Sequence, residues 1–190
     1  LLGLGSAAQA PPYLEQALRM APPCAMAHNN SGLCLARQGQ TTAAINAYRH
    51  ALKLDPALPE AHFNLGEAFL ASGDITTALA HLKRAHQLTP DDPSRLHKLA
   101  EAFYQNKNYR AAAKYMAQLQ QLQPDSPKIL YNLACLYARL GQRPKALQYL
   151  KKAVTHGYND WEQIKVDPDL ESLRETPYYR NLIKSSEVQP

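Results

Sequence analysis

Histidine, cysteine and carboxylate side chains are where metal or nucleophilic chemistry would reside, and their spacing here supports neither. His81 and His86 are five residues apart, on different faces of any helix, which is poor ligand geometry. His28 and His62 are 34 apart and share a packing position with Leu96 and Leu130. His50 and His156 have no visible partner in the sequence. Cys24, Cys34 and Cys135 are odd in number and lack CxxC spacing, so they read as unpaired, buried or half-buried thiols of a reducing compartment. Asp91 and Asp92 fall where a helix should begin, and Asp167 and Asp169 lie in the final segment, neither pair in an evident pocket. The sequence contains no HExxH, GxSxG, phosphate loop or GxGxxG. The expectation is a protein with no catalytic site, no metal and no cofactor.

Asparagine is the residue type that recurs usefully. Asn30, Asn64 and Asn132 occupy one position of a 34-residue period, with Lys98 in the same column. An amide side chain offers a donor and an acceptor together, which matches a peptide unit. Each such bond contributes about 1 kcal/mol net, so a row of them would hold a backbone with modest, sequence-tolerant affinity. The competing reading is that each Asn bonds to the backbone of its neighbouring repeat, and three in one column favour the ligand. Beside them run Asn29, Phe63, His97 and Tyr131, then Leu33, Glu67, Glu101 and Cys135 one turn on. Arg37 and Arg139 follow near the helix ends, with Tyr104 alongside. Leu65, Leu99, Leu133, Phe69, Phe103 and Tyr137 already fill the core columns, so Phe63 and Tyr131 are expected to be exposed.

The elements that must carry these side chains are helix pairs. Gly32, Gly66, Ala100 and Ala134 form one column of small residues, and Gly39, Gly73, Lys107 and Gly141 a second. Ala44, Ala78, Ala112 and Ala146 form a third, Tyr48, Leu82, Met116 and Leu150 a fourth, and Pro56, Pro90 and Pro124 a fifth. Apolar spacings of three and four, as in Leu65, Phe69 and Leu70, then Ile75, Leu79 and Leu82, predict amphipathic helices. Gly39, Gly73 and Gly141 fall at the turns between paired helices, with Asp74 and Asn108 as caps. Pro59, Pro93 and Pro127 start the next helix, with Asp92 and Ser126 as caps.

Those columns, and stretches such as HFNLGEAFLASGDITTALAHLKRAHQLTP and LYNLACLYARLGQRPKALQYLKKA, resemble the tetratricopeptide repeat family. The resemblance implies an all-α, right-handed superhelical solenoid of helix-turn-helix repeats. It also implies that first helices line a concave face, where asparagines of relatives form a peptide-holding ladder. On that resemblance the peptide-binding residues are Asn30, Asn64, Lys98, Asn132, Phe63, His97, Tyr131, Lys128, Arg37, Tyr104 and Arg139. Four repeats are placed at 25–58, 59–92, 93–126 and 127–158, with a partial repeat or cap at 1–24. Residues 159–190 resemble the short helical ending of many bacterial members and read as capping helices with a frayed tail from 185. The alternative is that the ending occupies the groove as an internal ligand. A carboxylate clamp of the chaperone-tail subclass is only partly matched. Asn64 fits and Lys98 replaces an Arg, while Asn29, Leu33 and Ser94 depart from the pattern.

The 190 residues carry 21 basic and 16 acidic groups, a formal charge of +5. Residues 127–158 hold six basic and no acidic groups, whereas 159–190 hold seven acidic and four basic. Lys151 and Lys152 read as solvated, while Lys98, Lys128 and Arg139 would receive an acidic segment or a terminal carboxylate. The expected role is an interaction scaffold, not an enzyme, that binds an extended or helical segment of another protein. The alternatives are a substrate-recruiting domain of a larger enzyme and a self-assembling component that stacks through residues 1–24. No apolar run is long enough to cross a membrane. The basic groups lack the aromatic interleaving of nucleic-acid binders. A cytoplasmic location is expected.

Overall fold

The computed structural model describes residues 24–186, and all regular structure among them is helical. The half-repeat expected at 1–24, with its proposed stacking role, lies outside the described residues save for Cys24. Successive helices are α1 (Ala25–Arg37), α2 (Thr41–Leu54), α3 (Pro59–Ala71), α4 (Ile75–Leu88), α5 (Pro93–Gln105), α6 (Tyr109–Leu122), α7 (Pro127–Arg139) and α8 (Arg143–Thr155). The ending adds α9 (Trp161–Val166), a 3-10 helix (Pro168–Leu173) and α10 (Pro177–Ser186). Helix therefore continues to Ser186, where a frayed tail was expected from 185.

The paired helices are separated by left-handed residues. Gly73 and Gly141 have φ of 84° and 72°, values that cost a side chain about 1–2 kcal/mol. Lys107 takes the same place with φ of 57° despite its side chain. Asp74 and Asn108 then cap α4 and α6 by accepting from the amides of Thr77 and Ala111. Asp92 Oδ1 caps α5 by accepting from the amides of Ser94 and Arg95 at 2.9 and 3.2 Å. Ser126 was expected to cap α7, but its side chain makes no such bond.

The helices divide into two compact units, Leu1–Ala102 and Phe103–Pro190, with the division inside α5. In the first, α1 packs on α2, α2 on α3, and α3 on α4. Leu65, Phe69, Tyr48, Ala44 and Ala78 share one core cluster. A Cβ added to Gly66 would lie 2.7 Å from Leu82 Cγ, and one on Gly32 only 2.5 Å from Tyr48 Cε1. Those glycines permit the close helix approach that the periodicity implied.

Histidines of the first unit meet one another here. His50 stacks on His28 with ring centroids 5.7 Å apart. His81 meets His62 across the α3–α4 pair, Nδ1 to Nδ1 at 3.0 Å. His62 Nε2 lies 3.1 Å from the Pro56 carbonyl, which only accepts, so that nitrogen carries the proton. His62 Nδ1 must then accept from His81 Nδ1–H. Burial lowers both pKa values, helped by Arg84 near His62 and Arg49 near His81.

In the second unit α6 packs on α7, α7 on α8, and the 3-10 helix on both α7 and α8. Ile164, Leu170 and Leu173 are fully buried. At about 1.5–3 kcal/mol each, they make the ending an integral part of this core. The Tyr179 hydroxyl donates to the Ile164 carbonyl at 2.6 Å and ties α10 to α9.

Candidate functional site

Each unit carries its own version of the first-helix face. In the first unit the face is built by α1, α3 and the start of α5. The Asn64 amide donates to Asn29 Oδ1 at 2.8 Å, and Asn29 Nδ2 lies 3.5 Å from Asn30 Oδ1. Asn29 is buried, Asn64 half-buried and Asn30 exposed. The chain of amides runs one way, which leaves Asn30 Nδ2 as a donor and Asn64 Oδ1 as an acceptor toward solvent. Phe63 and His97 are half-buried beside them, and Arg37 is exposed at the end of α1.

Lys98 is already engaged. Its ammonium lies 2.9 Å from Glu101 and 3.3 Å from Glu67. Burial pulls its pKa down, but bonding and attraction to the two glutamates outweigh that and raise it overall. One cation between two carboxylates gives this patch no surplus positive charge. The expectation that Lys98 receives an acidic segment therefore does not fit its surroundings.

In the second unit the equivalent face is covered by the chain's own ending. Tyr131, Cys135 and Arg139 stand four residues apart, one stripe along α7. The Tyr131 hydroxyl donates to Asp167 Oδ2 at 2.7 Å, and the Cys135 thiol reaches the same oxygen at 3.6 Å. The Tyr104 hydroxyl donates to Asp169 Oδ2 at 2.7 Å, and Arg139 Nε lies 3.5 Å from Asp169 Oδ1. Tyr109 backs Arg139, taking a guanidinium hydrogen bond at 2.6 Å under a ring-to-cation distance of 4.8 Å. From the other side Arg174 donates to the Val166 and Asp167 carbonyls at 3.3 and 3.2 Å.

Tyr131 is thus buried, 2% exposed, with its ring stacked 4.2 Å from that of Tyr158. The expectation of an exposed Tyr131 is corrected: the ending supplies the cover that the repeat columns could not reveal. Asp167 and Asp169, read in the sequence as lying in no pocket, hold the centre of this arrangement. Cys135, Asp167 and Asp169 bring possible metal-ligand atoms within 4.8 Å of one another. Burial first, then Asp167, pushes the Cys135 thiol well up, so it serves as a proton donor. Lys128 is exposed at the start of α7, on the rim of a shallow hollow with Tyr158, Asn159 and Asp160. Asn132 is half-buried on α7.

Comparison with known proteins agrees with this helix-pair geometry. A model of the TPR repeat matches residues 32–73, and a model of the anaphase-promoting complex, cyclosome, subunit 3 matches residues 71–153. The chain is built from tetratricopeptide repeats. Over 51 residues it is 41% identical to a chloroplastic protein of Arabidopsis thaliana, a stretch amounting to 27% of this chain and 15% of that protein. Its fold is that of solved repeat structures at lower identity. A crystal structure of MamA is similar with a TM-score of 0.74 and 21% identity, covering 80% of this chain and 89% of that one. MamA from Desulfovibrio magneticus RS-1 has a TM-score of 0.72 and 22% identity, covering 80% and 86%. YrrB, described as a TPR protein with an unusual peptide-binding site, has a TM-score of 0.71 and 21% identity, covering 81% and 79%.

Within this tetratricopeptide chain, the 34-residue columns found the helices but not the contacts made by the ending. The ending has no period, so no column could pair Asp167 with Tyr131. One signal was available: seven acidic residues follow a repeat with six basic and no acidic ones.

Proposed function

We propose that the protein is an interaction scaffold that holds an extended segment of a partner protein along the first-helix face of its first unit. The observation that carries this is the one-way amide chain Asn64 to Asn29 to Asn30. It orients two exposed or half-exposed amides so that a donor and an acceptor are left to pair with a peptide backbone. Phe63 and His97 would give apolar and aromatic contact to side chains beside that backbone. Asn132 offers the same amide chemistry in the second unit. The peptide-binding site ascribed to YrrB supports the reading by analogy. Catalysis has no part in it. The free thiols of Cys24, Cys34 and Cys135 suit the reducing cytoplasmic compartment we infer. Among the described residues no helix is long and apolar enough to cross a membrane.

The test is selection of peptides from a random display library on the whole chain, followed by affinity measurement with Asn30→Ala. That residue is exposed, so its loss should leave melting unchanged while weakening a selected peptide about tenfold, the worth of one or two hydrogen bonds. Peptides that bind Asn30→Ala and Phe63→Ala as well as the parent chain would remove this face from consideration.

A further inference from the structure

We propose that the α7 stripe of Tyr131, Cys135 and Arg139, together with Tyr104, is a receptor for paired carboxylates. Its partner is an acidic protein segment with two aspartates separated by one residue. The chain's own Asp167–Pro168–Asp169 holds that seat in the free protein as a tethered competitor.

The seat is built for carboxylates. Two phenol hydroxyls each donate at 2.7 Å, one to Asp167 and one to Asp169, and Arg139 faces the second oxygen of Asp169. Hydrogen bonds to ionised oxygens are the stronger kind. The acidic motif is itself preformed. Asp167 Oδ1 accepts from the Asp169 amide at 2.9 Å, and Pro168 stiffens the turn between them.

A cap does not require this chemistry. Ile164, Leu170 and Leu173 already close the core and are fully buried. The two carboxylates share one directly facing guanidinium, with that of Arg174 held on the Val166 and Asp167 carbonyls behind them, in a partly desolvated place. Burial, foremost, with repulsion from Asp167 raises the pKa of Asp169 despite Tyr104 and Arg139. Apolar residues in the same position would hold a cap at least as well, and retained buried charge is best attested where it specifies a partner or a switch. The adjacent Val166 is 70% exposed, so the motif sits at an accessible edge of the ending. A tethered segment competes at an effective concentration on the order of millimolar, and the burial of Ile164, Leu170 and Leu173 beside it adds to that, so a partner must exceed both or meet a lifted ending.

The test uses the whole chain and a labelled synthetic peptide matching residues 165–173. Asp167→Ala/Asp169→Ala should bind this peptide at least tenfold more tightly than the parent chain. Adding Tyr131→Phe and Arg139→Gln should cancel the gain, and the peptide with both aspartates changed to asparagine should not bind. The milder Asp169→Asn, which keeps the side-chain shape, should give a smaller gain in the same direction if the double variant folds poorly. Loss of stability in either variant without any gain in peptide binding would overturn the proposal and leave the carboxylates as structural groups. Dimers of the parent chain that form with concentration and disappear in Arg139→Gln would also overturn it, by making a second copy's ending the occupant. Asn30→Ala should leave this binding unchanged, so its outcome is independent of the amide reading of the first unit.

Discussion

The two units place the same repeat positions in opposite circumstances. In the first, the column of Glu67 and Glu101 meets Lys98, and the asparagines satisfy one another while leaving polar atoms outward. In the second, Cys135 holds the column that Glu67 and Glu101 occupy, and Tyr131 the column of Phe63 and His97. Both are turned to a segment that lies outside the period. Repeat position therefore decides where a side chain stands, and the aperiodic chain that follows decides whether it is available. A residue on a binding face can be removed from solvent by a few carboxylates further along the same molecule.

The largest expected effect breaks the second unit alone. Leu170→Ala removes a fully buried side chain from beneath the 3-10 helix and should cost about 2–5 kcal/mol in denaturant unfolding. A cost below about 1 kcal/mol would show that the ending is loosely held.

Next is the small-residue column. Gly66→Ala drives a methyl to within 2.7 Å of Leu82 and should cost about 1–3 kcal/mol, in the range of overpacked cores. The second unit already has alanine in this column at Ala134, which is fully buried without requiring glycine. Ala134→Gly should therefore cost only about 1 kcal/mol, from helix propensity. Equal costs at both positions would dissolve the distinction.

A smaller effect, of opposite sign, sits at the turn before α6. Lys107 is the left-handed residue that stands where Gly39, Gly73 and Gly141 stand elsewhere. Lys107→Gly should raise stability by about 1 kcal/mol, and a loss would mean its side chain contributes more than its backbone costs.

Acidity should sharpen the contrast further. The folded pKa values of His62 and His81 are lowered from 6.5, so their contribution is present above that pH and is lost as pH falls below it through the lowered folded values. Asp169 is raised from 3.8, so its protonation favours the folded form, and its contribution grows as pH falls through that raised value and is complete below 3.8. Unfolding at about pH 7.5 and about pH 5.5, on either side of the ordinary histidine value, should show a stability loss that His81→Gln reduces and Asp169→Asn leaves in place, half-buried His62 and His28 carrying the remainder. A loss insensitive to His81→Gln would reject the histidine pair as its source.

Most of the helical framework was legible in the sequence because close packing recurs at 34 residues. Gly66 against Leu82, Asp74 capping α4 and Pro59 opening α3 are all local demands that a column displays. Contacts made once were not legible. His62 with His81, Asn64 with Asn29, and Asp167 with Tyr131 depend on side-chain placement across helices, and no repetition advertises them. Tyr131 is the instructive case. Its column looked surplus to the core, and only the folded ending explains its burial. Asn64 carries a related lesson: because buried Asn29 accepts from it, Asn64→Ala should cost about 1–3 kcal/mol, whereas Asn30→Ala should not.

The most direct test of the scaffold reading is a heteronuclear NMR titration of the whole, nitrogen-labelled chain with a peptide selected from a display library. The account requires that the side-chain amide resonances of Asn30 and Asn64 shift together with the peptide, while those of residues in α2 and α4 stay fixed. Shifts confined to α2 and α4, with both asparagine side chains unmoved at saturation, would contradict it.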